Sequence, residues 1–334
     1  MTAATPIGAA VTGTGMYVPE RILTNADLER MVETSDEWIR TRTGIRERRI
    51  APEGTHTATL ATEAGRRALA SAGLDAAELD LIIVATCTPD APAPSTACVV
   101  QQELGAVRAA AFDLAAGCSG FVYALATAAQ FVRAGVYRQV LVIGAEVLSR
   151  VVNWQDRNTC VLFGDGAGAA VVSALSANGI TGVELGADGT GADVLGIYGG
   201  PYRPHAQLDS VSACPQIYME GQEVFKFATR ICATAAERSL DAAGIGLDGL
   251  GLLIPHQANW RIIHAAAKRL HLRDEQVFVN VDRYGNTSGA SVGIALAEAA
   301  ASGRIAHGDA VVLVGFGAGL TWAALTLIWQ GGTK

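Results

Sequence analysis

The sequence predicts an α/β protein built from a duplicated unit, and three observations carry that prediction. Apolar runs of strand length alternate with alanine-rich stretches of helical spacing along the 334 residues. Half of the residues are apolar and only 17% are charged, a balance that suits a chain burying much of its helix and sheet. The third observation is a faint internal repeat. Leu79-Asp-Leu-Ile-Ile-Val-Ala85 resembles Leu250-Gly-Leu-Leu-Ile-Pro255, and Gln139-Val-Leu-Val-Ile-Gly-Ala145 resembles Ala310-Val-Val-Leu-Val-Gly-Phe316. Between them, Phe112-Asp-Leu leading to Gly117-Cys118 resembles Phe278-Val-Asn-Val leading to Gly285-Asn286. Three matched strands per half, in one order and at similar spacing, point to duplication; chance likeness among buried strands is the alternative.

Taken in order, the chain begins Met1-Thr-Ala-Ala-Thr-Pro6, without a charged region ahead of an apolar core, so no signal peptide is expected and the location is read as cytoplasmic. Arg40, Arg42, Arg46, Arg48 and Arg49 crowd into ten residues, for which a solvated charged face is the ordinary reading. The strand ending at Ala85 leads through a proline-rich loop into a helix capped by Ser95 or Thr96. A short strand from Phe112 breaks at Gly117 and runs into an apolar helix from Phe121 to Arg133. Gly164 to Gly168 reads as a tight turn, because no acidic ribose contact follows at the spacing of a dinucleotide site. After a strand over 169–174, Ser176-Ala-Asn-Gly179 is the expected join, dividing the chain into halves of residues 1–178 and 179–334. Residues 188–205, rich in Gly, Pro and Tyr, read as a surface excursion of the second half. Strands are then expected at Leu252–Ile254 and Val277–Val281, each ending at a junction with a helix.

Several functions are disfavoured at this level. A net charge of −7 argues against a general nucleic-acid binder, which needs excess Lys and Arg to neutralise phosphate. The longest apolar runs, such as Leu81–Val84 and Val311–Val314, fall far short of the ~20 residues that cross a bilayer. Six cysteines are scattered without a Cys-x-x-Cys pair, so neither a metal site nor a disulfide framework is expected. Cys87, Cys98, Cys160, Cys214 and Cys232 lack any special context and read as structural.

Cys118 differs because its junction puts a thiol at the amino end of an apolar helix. Unpaired N–H groups and the helix dipole favour an anion there, and that setting is expected to lower the thiol pKa. A small core hydrophobe is the bland alternative. His256 follows a strand directly in Pro255-His-Gln-Ala-Asn259, and Asn286 follows one in Arg283-Tyr-Gly-Asn-Thr-Ser-Gly289. Carboxyl ends of strands are where ligands collect in α/β folds, although helix N-capping explains His256 and Asn286 taken singly. Three polar groups at three matching junctions weaken that explanation.

With these motifs the sequence resembles the β-ketoacyl-acyl-carrier-protein synthase III enzymes of the thiolase superfamily, over essentially the whole chain. The resemblance is carried by Thr34-Ser-Asp-Glu-Trp-Ile39, Thr41-Arg-Thr-Gly-Ile-Arg46, Gly117-Cys-Ser-Gly-Phe121, Phe163-Gly-Asp-Gly-Ala-Gly168, His256-Gln-Ala-Asn259, Gly285-Asn-Thr-Ser288 and Gly315-Phe-Gly-Ala-Gly319. It implies a thiolase-like fold of duplicated α/β halves, five-layered αβαβα, with two mixed five-stranded sheets. It implies Cys118, His256 and Asn286 as the catalytic triad, with the backbone N–H groups of Cys118 and Ala318 as oxyanion hole. The implied reaction is decarboxylative Claisen condensation of an acyl-CoA primer with malonyl-acyl-carrier-protein, initiating fatty-acid synthesis. Elongating synthases of this fold resemble Cys-His-His and thiolases use a second cysteine, which Gly315–Gly319 lacks. A condensing enzyme or acyltransferase of secondary metabolism is the alternative on the same scaffold. A non-catalytic partner subunit is disfavoured because such subunits usually lack the nucleophile.

The resemblance also implies binding residues. Trp38 stacks on the CoA adenine together with Arg157, Arg42 meets the phosphates, and Asn259 binds the pantetheine arm; a surface-capping core role is the alternative for Trp38. Lys226, Arg261, Lys268 and Arg269 match positions that dock the acidic carrier protein, against the alternative of a solvated face. Ala93 matches a loop residue that closes the acyl tunnel of the neighbouring subunit, where several relatives carry a bulky aromatic; otherwise it is a plain loop residue. No metal or resident cofactor is implied, the CoA thioester being substrate, and a homodimer is.

Overall fold

The computed structural model describes residues 8–175, 179–208 and 214–331. The first half begins with strand β1 (Gly8–Tyr17) and helix α1 (Asp36–Thr43), whose first turn is capped by the Ser35 hydroxyl accepting from Trp38 N–H at 3.1 Å. Helix α2 (Thr57–Ala72) starts where the Asp90 carboxylate accepts from the N–H groups of Thr57 and Ala58. Strand β2 (Leu81–Ala85) is buried along its whole length, as a central strand covered on both faces must be. Helix α3 (Thr96–Leu104) is capped by Ser95 and by Asp113, which takes the N–H groups of Thr96 and Ala97. Strand β3 (Ala110–Leu114), helix α4 (Gly120–Arg133), strand β4 (Gln139–Glu146) and strand β5 (Gly166–Leu175) complete the half.

The second half repeats this order with strand β6 (Ile180–Ala187), helix α5 (Gly221–Ala243), strand β7 (Leu250–Pro255) and helix α6 (Trp260–Arg269). Helix α7 (Ser291–Ala301), strand β8 (Ala310–Gly317) and strand β9 (Thr321–Ile328) follow. The first sheet runs β1-β5-β4-β2-β3 and the second β6-β9-β8-β7. Each begins with two antiparallel pairings and then turns parallel, so both are mixed. The four strands of the second sheet therefore match the first four positions of the first in order and pairing sense.

The fifth position of the second sheet departs from the expected strand over Val277–Val281. Only a single parallel bridge, Leu253 to Val277, and the Phe278 N–H bond to Leu253 O at 2.9 Å remain. Val281 already begins a short helix, Val281–Tyr284. The cause is the buried side chain of Gln257, which donates to Pro255 O and Phe278 O and accepts from the N–H groups of Asn280 and Val281. One amide satisfies the backbone groups that a longer ladder would have paired.

The layering expected from the resemblance is present. Helices α2 and α3 cover the outer face of the first sheet, α4 and α7 lie between the sheets, and α5 and α6 cover the outer face of the second. Helix α4 is apolar nearly all round because it meets both sheets; Phe121, Leu125 and Val132 have no exposed surface, each contributing about 2 kcal/mol by burial.

Strand β5 ends at Leu175 and β6 starts at Ile180, but residues 176–178 of the expected join lie outside the described residues, as does the amino-terminal segment Met1–Pro6. The stretch 188–205 is more than a surface excursion. Its Leu195–Tyr198 segment pairs antiparallel with Gln216–Met219, and this ribbon returns to wall the central cavity. Among the described residues, no helix is long and apolar enough to cross a membrane.

Candidate active site

Cys118 lies in a tight turn, Gly117–Ser119, between β3 and α4. The turn needs glycine at 117, where φ is +56° and a Cβ would meet Ala318 O and N at 3.0 and 3.1 Å. Gly317 matters for a different reason: a Cβ there would come within 2.9 Å of Cys118 Sγ. Both glycines let the end of β8 close directly over the nucleophile.

Burial pushes the Cys118 thiol up to about 11, and the Glu146 carboxylate pushes the same way. The Ser288 hydroxyl and the backbone N–H groups of Cys118 and Ala318 act against it. The expectation of a lowered thiol pKa is thereby corrected: removal from water outweighs the donors around the sulphur and the helix end beside it. The resting side chain is a thiol poised among groups that stabilise its anion.

His256 stands at the end of β7, fully within the protein, with its ring edge-on to Phe316 at 5.2 Å between centroids. Burial lowers its pKa to about 3, so the ring is neutral at physiological pH. Nδ1 and the Ser291 hydroxyl are 2.6 Å apart, which leaves Nε2 as the nitrogen free for the cavity. Asn286 is held by its backbone, its N–H donating to Leu162 O at 2.8 Å and its carbonyl accepting from Gly164 N–H at 3.0 Å. The glycine-rich run read as a tight turn instead enters strand β5 at Gly166, and the residues just before it, Phe163 and Gly164, clamp Asn286. Asn286 Oδ1 accepts from Ser288 N–H at 2.8 Å, so Nδ2 is the group left to donate. Neither His256 nor Asn286 caps a helix: Asn259 caps α6, and Ala290 precedes α7.

Cys118, His256, Asn286 and Ala318 all line one cavity of about 450 Å³. Its walls are mostly apolar, including Leu148, Leu162, Ile197, Ile217, Phe225 and Phe227. Cys87 lines it too, a context that its reading as a structural cysteine did not include. Strand β2 ends just before it, and its amide donates to the buried Glu146 carboxylate at 3.1 Å. The contributions of Ser288, Ser291, Glu146 and Gln257 went unread in the sequence, since single polar residues near strand ends carry no periodic signal.

Around the mouth, the guanidinium carbons of Arg42 and Arg157 lie 4.7 and 5.4 Å from the centre of the half-buried Trp38 ring. Asn259 lines the cavity, donates to Arg42 O at 3.0 Å and caps α6 by accepting from Arg261 N–H at 2.8 Å. The arginine run does not form one solvated face. Arg48 is wholly buried and donates to Leu23 O, Asn25 Oδ1 and Val161 O; burial lowers its pKa only to about 10, so it stays charged. Arg261 is exposed 5.3 Å above the ring of Phe225, a cavity residue. Lys226 is exposed and paired with Glu223, while Lys268 and Arg269 are exposed in the last turn of α6. Ala93 is exposed on the loop before α3 and is not among the residues lining this cavity of its own chain. Among the described residues, no group of three His, Cys, Asp or Glu side chains is arranged to hold a metal ion.

Comparison with known proteins bears on this arrangement. The family model for 3-oxoacyl-[acyl-carrier-protein] synthase III matches residues 112–189, and the model for the C-terminal part of that family matches residues 240–329. The β-ketoacyl-[acyl-carrier-protein] synthase III of Caldanaerobacter subterraneus is 58% identical over 97% of this chain and 98% of its own length. The solved synthase III of Thermus thermophilus is 51% identical with a TM-score of 0.90, covering 97% of this chain and 100% of its own. A priming β-ketosynthase from the R1128 polyketide biosynthetic pathway is 37% identical with a TM-score of 0.92, covering 100% of this chain and 99% of its own.

Proposed function

The chain belongs to the 3-oxoacyl-[acyl-carrier-protein] synthase III family, and we propose that Cys118, His256 and Asn286 carry out its condensation. It is an acyltransferase of the thiolase-like condensing type that initiates fatty-acid synthesis. The substrates we assign are an acyl-CoA primer and malonyl-acyl-carrier-protein. One observation carries the residue roles: a buried thiol shares an apolar cavity with a neutral imidazole and an amide oriented to donate.

In the first step Cys118 Sγ attacks the acyl-CoA carbonyl, the carbon–sulphur bond to CoA breaks, and the thiol proton ends on the departing CoA sulphur. The oxyanion is received by the N–H groups of Cys118 and Ala318. Malonyl thioester then enters and loses carbon dioxide, its bonding pair moving into an enolate. With the Ser291 hydroxyl donating to Nδ1, the His256 proton resides on Nε2, which donates to the enolate oxygen beside Asn286 Nδ2. The carbanion attacks the acyl-cysteine, the Sγ–acyl bond breaks to give a 3-oxoacyl carrier protein, and the released Cys118 thiolate takes one proton from solvent water. A charged imidazolium is not required at any step, which suits a ring held neutral by burial.

The remaining assignments follow the same reading. Trp38, Arg42 and Arg157 hold the CoA nucleotide, and Asn259 holds the pantetheine. Arg261 and Lys226 beside Phe225, with Lys268 and Arg269 further along, receive the acidic carrier protein. The two halves, residues 1–178 and 179–334, derive from one duplicated unit, a reading supported by their common strand order and pairing sense. The enzyme works as a cytoplasmic homodimer without a resident cofactor, each Ala93 facing the partner's acyl tunnel; exposure of Ala93 in the single chain is consistent with that.

A second reading, priming of polyketide assembly, is favoured by the likeness to the R1128 ketosynthase; the chemistry is the same and the carrier differs. The test is intact-mass analysis after mixing with acetyl-, isobutyryl- and hexanoyl-CoA, then with malonyl-loaded carrier proteins of both pathways. An acyl adduct discharged into 3-oxoacyl product on the fatty-acid carrier is expected. Discharge only on a polyketide carrier would favour the second reading, and discharge to water, alcohol or amine without condensation would overturn both.

A further inference from the structure

We propose that Ser288 is a further catalytic residue, whose hydroxyl donates to Cys118 Sγ as charge gathers there while its amide orients Asn286. The proposal deepens the functional reading above and rests on Cys118 being the nucleophile. Ser288 touches two members of the triad at once: Oγ lies 3.3 Å from Cys118 Sγ, and its N–H donates to Asn286 Oδ1 at 2.8 Å. It is buried in the cavity that holds both. Its φ of +48° is in the left-handed region, which only His271 shares among the non-glycine described residues. A serine held there bears backbone strain, and strain of this kind collects at working sites. The short turn Ser288–Ala290, just beyond the short helix Val281–Tyr284, directs amide and hydroxyl to different partners.

The groups facing the sulphur come from every neighbouring element. Glu146 at the end of β4 raises the thiol pKa, the Ser288 hydroxyl lowers it, and His256 at the end of β7 is neutral. Cys87 beyond β2 lines the same cavity, and burial with the nearby Glu146 carboxylate pushes its thiol up. In acyl transfer the Sγ–acyl bond forms, the CoA–acyl bond breaks and the Cys118 proton leaves with CoA, so a donor to Sγ favours the anionic attack without consuming a proton.

The experiment compares wild type, Ser288→Ala and Ser288→Gly. Alkylation of Cys118 by iodoacetamide is followed by peptide mass between pH 6 and 10, with Cys118→Ala defining the background from other cysteines. Glycine adopts the left-handed backbone freely, so it removes the hydroxyl while relieving strain. Both variants are expected to alkylate about tenfold more slowly at a given pH, shifting the logarithmic rate line by about one unit to the alkaline side, as loss of a hydrogen bond to a charged group predicts. Acylation by acyl-CoA should slow by a similar factor. Carbon dioxide release from malonyl carrier protein by preformed acyl-enzyme should stay within about threefold of wild type, because the residue 288 amide still orients Asn286 in both variants, whereas expulsion of Cys118 Sγ by the carbanion should slow as acylation does. Rates coinciding with wild type in both variants would overturn the proposal, as would a defect in Ser288→Ala that Ser288→Gly restores. If wild-type Cys118 alkylates but takes no acyl group from any acyl-CoA, the functional reading fails while the alkylation shift still reads the Ser288 bond.

Discussion

Replacing Asn286 by alanine separates the two halves of the proposed reaction. The backbone at 286 is pinned from both sides, by Leu162 O and Gly164 N–H, independently of the side chain. The substitution therefore removes Nδ2 from the cavity and leaves the Ser288 N–H without its Oδ1 acceptor. Losing that acceptor costs about 1–3 kcal/mol of stability, which a folded domain of this size can bear. Losing one preorganised donor to an enolate costs about 3 kcal/mol in the transition state, on the order of a hundredfold in rate. Asn286→Asp restores an acceptor for Ser288 N–H but offers no donor to the enolate, so it should recover stability and not decarboxylation. The assay follows carbon dioxide release from malonyl carrier protein by pre-acylated enzyme, alongside rapid-quench measurement of acylation. Acylation within a few-fold of wild type, with decarboxylation down about a hundredfold, is expected. Decarboxylation within threefold of wild type, or equal loss of both steps, would refute the reasoning.

Three further outcomes follow from the same site. Because burial lowers the His256 pKa from its ordinary 6.5 to about 3, the ring is neutral from pH 5 to 8, and decarboxylation by pre-acylated enzyme should have no break near 6.5. A break there that disappears in His256→Gln would show the ring titrating. Arg261→Glu should raise the apparent KM for malonyl carrier protein, more so at low salt, while KM for malonyl-CoA stays near wild type; equal loss with both would contradict docking by Arg261. Ala93→Phe should move primer preference from hexanoyl- toward acetyl-CoA, since each buried methylene contributes about 0.8 kcal/mol; an unchanged order of kcat/KM would remove Ala93 from the tunnel.

Much of the architecture was legible because it rests on continuous apolar runs. Leu81–Ala85 and Ala310–Gly317 are buried end to end, and a run of that kind reads the same in isolation as in the sheet. The strand expected over 277–281 has the right apolar pattern but does not extend, because Gln257, some twenty positions earlier, supplies the hydrogen bonds in place of a partner strand. The stretch 188–205 reads as surface because it is rich in Gly, Pro and Tyr, yet Leu195 and Ile197 wall the cavity. Cys118, His256 and Asn286 were legible from their junctions, a local property. The state of the thiol was not, because it depends on burial and on Glu146 and Ser288, which reach it only through the tertiary fold.

The central claim is that the acyl group passes through Cys118 on its way to the 3-oxo product. The most direct measurement isolates enzyme carrying a carbon-13-labelled acyl group and frees it of CoA. It is then mixed with malonyl carrier protein and excess unlabelled acyl-CoA for one turnover. Peptide mass should locate the label on Cys118 beforehand, and the first equivalent of 3-oxoacyl carrier protein should carry it, at a rate no slower than steady-state turnover. Unlabelled product forming first, with label remaining on Cys118, would contradict the account.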